Sequence, residues 1–302
     1  INGGTEDDDV DFNGDITFNA NVNLDVNLQN DDAIPGIDKF SLSPLANLVL
    51  LGTGTATIKV SYYVLLSDGS SITTQNGDLT VEANQQLTPS SGIFTGITIF
   101  GALLQSSGSG TIVVRGKGGN SSNNQRGINV SSAGKIQGGT SGAVIVEGTG
   151  GASTGVMNHG VHVIGANSII SSNGADVSVT GLSGGSSSSF ANFGVYVHGA
   201  GVISAGGSGS VTVMGTGGSA TGSTNYGVYV TLLNASITSS GGNVSVIGQG
   251  GGSGFSGNNN GVYVSSTGII SATGEGTLTV MGTGGSGSGH SNYGILLSGS
   301  NS

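Results

Sequence analysis

The 302-residue chain has no cysteine, no tryptophan, three prolines and six basic residues. Without cysteine there can be no disulfide, no thiolate nucleophile and no Cys-type metal site. Three prolines cannot serve a collagen repeat. No Lys or Arg follows Lys135, so the basic footprint that nucleic acid requires is missing. A polybasic patch for anionic lipid is missing too. The nearest approach to an apolar run, Leu45–Leu51, falls far short of the ~20 residues of a membrane helix. The reading is therefore no nucleic-acid partner and no membrane insertion. The chain opens at Ile1 without a charged-then-apolar leader, and any signal peptide is expected to have been removed or to lie outside this stretch.

Glycine is abundant, with 61 residues. An interior glycine costs a helix about 0.5–1 kcal/mol relative to alanine, so a helical fold is excluded. Leu, Ile, Val and Phe make up about a quarter of the chain, above the roughly 20% floor for disordered sequences. The net charge of −10 is uneven. Residues 1–40 hold ten acids and one base, Lys39, and the remainder is almost neutral.

Self-similarity organises the rest. Asn-x-Gly-Val-Tyr-Val recurs, with its glycines at Gly127, Gly160, Gly194, Gly227, Gly261 and Gly294, spaced alternately by 33 and 34. An isoleucine column follows at Ile136, Ile170, Ile203, Ile237 and Ile270, and a valine column runs from Val81 to Val280. Gly134, Asn167, Gly201, Asn234 and Gly268 form another column. These two residue types tolerate positive φ best, so this column predicts a left-handed corner. The Gly/Asn alternation, and the return of Met214-Gly-Thr-Gly-Gly two units later at Met281, indicate a duplicated two-coil block. Each unit contains three short alternating segments bounded by Gly, Asn and Ser, which is the signature of strands.

These features predict an all-β fold, a right-handed parallel β-helix (β-solenoid) with three short strands per ~33-residue coil and a 67-residue super-repeat. The organisation reads as an acidic N-terminal segment (1–15), a β segment or cap that could also be early coils (16–60), and the solenoid proper (61–302). About seven coils would make a rod roughly 34 Å long. Ile16 to Leu28 alternates without a break and reads as one long strand or a strand bent at a corner.

Parity assigns the surface. In the first strand the flanking valines face in, and Thr98, Asn129, His162, Tyr196, Tyr229, Tyr263 and Leu296 face out, because Asn129 and His162 would lack partners in the core. Tyr196, Tyr229 and Tyr263 then form an outward contact stripe, or simply stack as strand-favouring residues. Met214, Ile247 and Met281 form a second outward column suited to lateral packing. Asn158, Asn192, Asn225, Asn259 and Asn292 predict an amide ladder. Asp9, Asp11, Asn13 and Asp15 match the opening of a calcium loop, but the closing Glu falls at Ala20, and a solvated acidic linker is the alternative. No carboxylate pair or histidine set is placed for catalysis, so the chain reads as a non-enzyme with no cofactor beyond that calcium.

The Gly-Val-Tyr-Val and Gly-Asn-Val-Ser-Val repeats, with Gly14-Asp-Ile-Thr-Phe-Asn, resemble bacterial β-strand-repeat surface proteins, the solenoids of filamentous-haemagglutinin and autotransporter-passenger type. The resemblance is one of repeat style over most of the chain. It implies an extracellular or cell-surface rod used as a self-associating fibre, filament or adhesin component. Its partners would be further copies, with glycans or a host surface as the alternative through the tyrosine stripe. The chain stops at Ser302, one strand into a new coil, and is expected to be a piece of a longer protein or a subunit that stacks end to end.

Overall fold

A computed structural model describes residues 1–4, 6–29 and 36–299. Residue 5, residues 30–35 with Asp31 and Asp32, and residues 300–302 lie outside the described residues. The described residues form 28 strands and no helix. Three parallel sheets stack coil on coil: a first sheet of ten strands, which carries Val-Tyr-Val, and a second and third of nine. The chain visits the three sheets in strict rotation, so every strand pairs with the strand three positions earlier and three later. Sequence-equivalent residues therefore sit one above the other. Ile136 pairs with Leu104 and Ile170, and Val213 pairs with Val179 and Val246.

The core follows from this register. Alternate residues of every strand point inward, and Val, Ile and Leu at those positions are fully buried from Phe40 to Val246. A coil cannot enclose its own apolar side chains. Each is sealed by the coils above and below.

The solenoid extends farther toward the N-terminus than residue 61. Asp9–Phe12, Ile16–Phe18 and Leu24–Asn27 are the outermost strands of the three sheets at that end. A ten-stranded sheet at ~4.8 Å per strand measures roughly 43 Å, longer than a seven-coil rod. The acidic segment is thus no free linker, because Asp9–Phe12 pairs with Lys39–Leu42. The alternation from Ile16 to Leu28 is broken at a corner: Asn21 adopts φ 65°, and Val22 turns out to solvent while Leu24, Val26 and Leu28 return to the core. The first-sheet strand of the third coil is Tyr63–Leu66, with Val64 opposite Ile97, so the Tyr62-Tyr-Val match is out of register with the true strand. Circuit length explains why the repeat fades here. Lys39 already pairs with Tyr63, a much shorter circuit than the one that brings Ile128 to Val161. Register persists while the loops change length, and the third-sheet strands lengthen from four or five residues to six.

The left-handed corner is displaced by one residue from the Gly/Asn column in alternate coils. Positive φ occurs at Ala133, Asn167, Ala200, Asn234 and Thr267, not at Gly134, Gly201 or Gly268. In the coils that carry those glycines the preceding residue is left-handed too, at Ser132, Gly199 and Ser266. The two-coil super-repeat is thus an alternation between two corner shapes. The glycines are needed for a different reason. A Cβ at Gly201 would run into the carbonyl of Val163 in the preceding coil. In the intervening coils Ser168 and Ala235 follow the left-handed residue and are fully buried, so this place in the corner selects for small size.

This separation of roles is testable by thermal unfolding. Gly201→Ala should destabilise by about 1–3 kcal/mol, as overpacking does. Ala200→Gly, at φ 70°, should be neutral or stabilising by up to ~1 kcal/mol, because alanine there carries a left-handed penalty of about 1–2 kcal/mol.

Candidate functional site: the ladders on the first sheet

Three side-chain ladders run along the rod axis. The first lies at the corner leading into the first sheet. Asn158, Asn192, Asn225 and Asn259 are completely buried. Each side-chain carbonyl accepts the backbone N–H of the asparagine one coil nearer the N-terminus: Asn158 to Asn192 at 3.0 Å, Asn192 to Asn225 at 3.2 Å, Asn225 to Asn259 at 2.9 Å and Asn259 to Asn292 at 2.9 Å. The Nδ2 groups donate to the same oxygens, and Gln125 N–H closes the N-terminal end on Asn158 Oδ1. The residue before each rung is left-handed without being glycine: Asn124, Met157, Ala191, Thr224, Asn258 and Ser291. A backbone tolerates such a run of positions only where surrounding structure over-determines them, and the ladder supplies that constraint.

The second ladder is aromatic and double. Tyr196, Tyr229 and Tyr263 lie on the outer face of the first sheet, as parity predicted, but they are half-buried. Their rings stack at 5.1 and 4.9 Å with interplanar angles of 2° and 4°, and His162 stacks on Tyr196 at 4.9 Å. Beside them runs a column hidden in the unread position of Asn-x-Gly: His159, Phe193 and Tyr226, stacked at 4.8 and 5.0 Å. The columns meet edge-to-face, Phe193 against Tyr196 and Tyr229, and Tyr226 against Tyr229 and Tyr263. Such contacts are worth about 0.5–1.5 kcal/mol per pair beyond burial. A ligand that stacks on ring faces, as a sugar would, meets few free faces here because neighbouring rings occupy them. Tyr229 and Tyr263 hydroxyls bond Ser265 and Ser298 one coil on, at 3.3 and 2.9 Å.

Facing outward does not keep His162 exposed, which corrects the parity expectation: it lies on the outer face and is only 3% exposed. The second column covers it. Its Nδ1 lies 3.1 Å from Asn129 Oδ1, and its Nε2 has no hydrogen-bond partner among the described residues. His159 Nδ1 accepts the Phe193 N–H at 3.2 Å. Burial, reinforced by neighbouring positive or protonatable groups including Arg126 and His198, holds both imidazoles well below the ordinary histidine pKa. His198 is also lowered by burial. Burial likewise pushes the Tyr226 hydroxyl up to about 12 and raises that of Tyr196.

The third ladder lies outside the third sheet. Lys59, Glu82, Arg115 and Glu147 succeed one another in register and are paired at 3.2, 3.0 and 2.6 Å. The same column continues through Thr180 into Met214, Ile247 and Met281. Met214 and Met281 are about half exposed, as is Leu182 on the same sheet. The lateral-contact column is therefore one apolar stretch of a column that begins as ion pairs.

The calcium residues do not converge. Asp9 pairs with Lys39 at 3.3 Å, Asp11 accepts the Ser41 hydroxyl at 3.1 Å, Asn13 accepts the Ser43 hydroxyl, and Asp15 accepts the Asn47 backbone N–H at 3.0 Å. They are strung along the outermost coil and bonded individually to the next one. Among the described residues no group of three or more His, Asp or Glu side chains is placed to hold a metal ion.

No family model matches the chain, and no curated protein or solved structure matches it.

Two outcomes are expected. Asn192→Ala removes the bonds accepted from Asn158 along with those to Ser189 and Asn225, leaves the buried Asn158 N–H unpaired, and should destabilise by about 2–3 kcal/mol. Asn292→Ala, at the partly exposed end of the ladder, should cost less, because the Asn259 groups it leaves unpaired are nearer solvent. Stability should fall as pH drops through about 6.5. There the unfolded chain binds protons that folded His159, His162 and His198 refuse. Unfolding midpoints in denaturant at pH 7.5, 6.5 and 5.5 measure this, and a flat profile would refute it.

Proposed function

We propose that the chain is a structural rod, an extracellular or cell-surface element that associates with copies of itself into a fibre or adhesin component and performs no catalysis. One observation carries the reading: the amide, aromatic and ionic ladders all run coil to coil along a single axis, so the polar and aromatic chemistry serves to hold each coil on the next. Solenoids stabilised by nearest-neighbour interfaces form stiff elongated bodies. The exposed Met214, Met281 and Leu182 on the outer face of the third sheet support lateral association between rods. The Gly, Ser, Thr and Asn composition and the repeat style support the extracellular setting.

Electron microscopy of the native material provides the test, with sedimentation alongside. Aligned rods in a fibre or layer, loosened by Met214→Asp with Met281→Asp, are expected. Dispersed, non-associating single particles in native material would overturn the proposal.

A further inference from the structure

Followed toward the N-terminus by strand register, the two first-sheet columns have a gap. The outer column runs back from His162 through Asn129 and Thr98 to Leu65. The inner column, two residues before each strand's first inward residue, runs back from His159 through Arg126 and Thr95 to Tyr62. In one coil both rungs are threonines, and each adjoining rung is larger. A cavity of about 260 Å³ lies there, lined by Tyr63, Leu65, Ile93, Phe94, Thr95 and Thr98.

Tyr63 gives the cavity its character. Its neighbour one coil nearer the N-terminus is Lys39, and on the other side the register places Gly96. A glycine offers no side chain to stack. Among the described residues no ring stacks on Tyr63, whose aromatic contact is a tilted one to Tyr62 at 5.6 Å. Tyr196 and Tyr229, by contrast, have stacked rings on both sides. The wall formed by Ile93 and Phe94 is fastened. Phe94 N–H donates to Gln125 Oε1 at 2.9 Å, the Phe94 ring lies 3.8 Å from that of Tyr62, and the Gly92 carbonyl accepts the Asn120 N–H at 2.9 Å. Polar capacity is left over. Thr95 Oγ1 makes one long bond, to the Asn124 carbonyl at 3.4 Å, and the Thr98 and Tyr63 hydroxyls bond nothing among the described residues. No charged side chain lines the cavity, and Lys39 beside Tyr63 is already paired with Asp9.

We propose that this cavity binds a single neutral sugar ring, one pyranose unit of a glycan. A pyranose has an apolar C–H face and a hydroxyl-bearing edge. The C–H face suits the electron-rich face of Tyr63, with Leu65 and Ile93 beside it. The sugar hydroxyls exchange hydrogen bonds with Thr95, Thr98 and Tyr63, whose hydroxyls both donate and accept. A wholly aromatic guest would cover those hydroxyls without pairing them, which costs free energy, and an acidic sugar would find no counter-charge. The volume is below the ~300–1,000 Å³ of pockets for drug-sized ligands, so one ring is the fit. The fastened wall keeps the ordering cost of binding low. The site does not rest on association between rods, and it moves the glycan contact from the stacked tyrosines to the unstacked Tyr63.

Methyl glycosides of glucose, galactose, mannose and N-acetylglucosamine are the probes, titrated into the full chain and followed by NMR. At least one should shift the methyl resonances of Leu65, Ile93 and Thr98 along a saturable curve, with a dissociation constant on the order of millimolar. Thr98→Val keeps the side-chain shape, removes the hydroxyl and should weaken binding about two- to tenfold. Tyr63→Ser should abolish the shifts of the Leu65 and Ile93 methyls, and Tyr293→Ser should leave binding intact. No saturable shift of these methyls with any of the glycosides would overturn the proposal. So would shifts centred on Tyr196, Tyr229 and Tyr263, unchanged binding in Tyr63→Ser, or a response to p-cresol with none to a glycoside. The parent titration needs no variant, and rods that stayed single in microscopy would leave every one of these outcomes unchanged.

Discussion

Everything in this molecule depends on parallel strands pairing without slippage, like residue over like residue. The ~4.8 Å rise that backbone pairing imposes is close to the separation at which planar groups stack and amides bond. Once Val213 is fixed over Val179, Asn192 must lie against Asn225 and Tyr196 against Tyr229. The ladders are consequences of the register and also guard it, since a one-residue slip would send each inward valine to solvent. Alternate rungs need not be identical. His162 over Tyr196, or Glu82 over Arg115, satisfies the same geometry with different chemistry.

The same constraint divides the sequence into parts that were legible and parts that were not. The strand columns could be read because their inward positions are filled mostly by branched aliphatic residues at a fixed spacing. The asparagine ladder could be read because one residue type recurs. The inner aromatic column was missed because its rungs are Arg126, His159, Phe193, Tyr226, Asn260 and Tyr293, a mixture without a consensus. Only the position was constant, and a planar or flat-faced side chain at most rungs was the available signal. The corner glycines misled in another way. Gly134 and Asn167 align when counted from the first-strand glycine, but the register lengthens by one residue in that corner: Ser131 lies opposite Ile164 and Lys135 opposite Ile169. Two distinct requirements, positive φ and small size, were thereby merged into one column.

The early coils show how the fold separates what must be kept from what can vary. Between Lys39 and Tyr63 the chain completes a short circuit, with no long excursion before the first sheet. The circuit from Val161 to Val195 is longer, and the added residues form the glycine- and serine-rich loop that carries the asparagine rung. The inner and outer aromatic columns run together only where that loop is present to cover the sheet. His162 is therefore buried on a face that parity alone would leave open.

Unequal circuits on a common register have a mechanical consequence. The hydrogen bonds between coils point along the rod, so tension applied at the two ends loads them lengthwise and peels off one coil at a time. Each released circuit yields contour length set by its loop. A full-length later coil pays out roughly 110 Å when extended, and the short early circuit roughly 80 Å. Under such a load the rod would lengthen in steps, and each loop sets the length of its step.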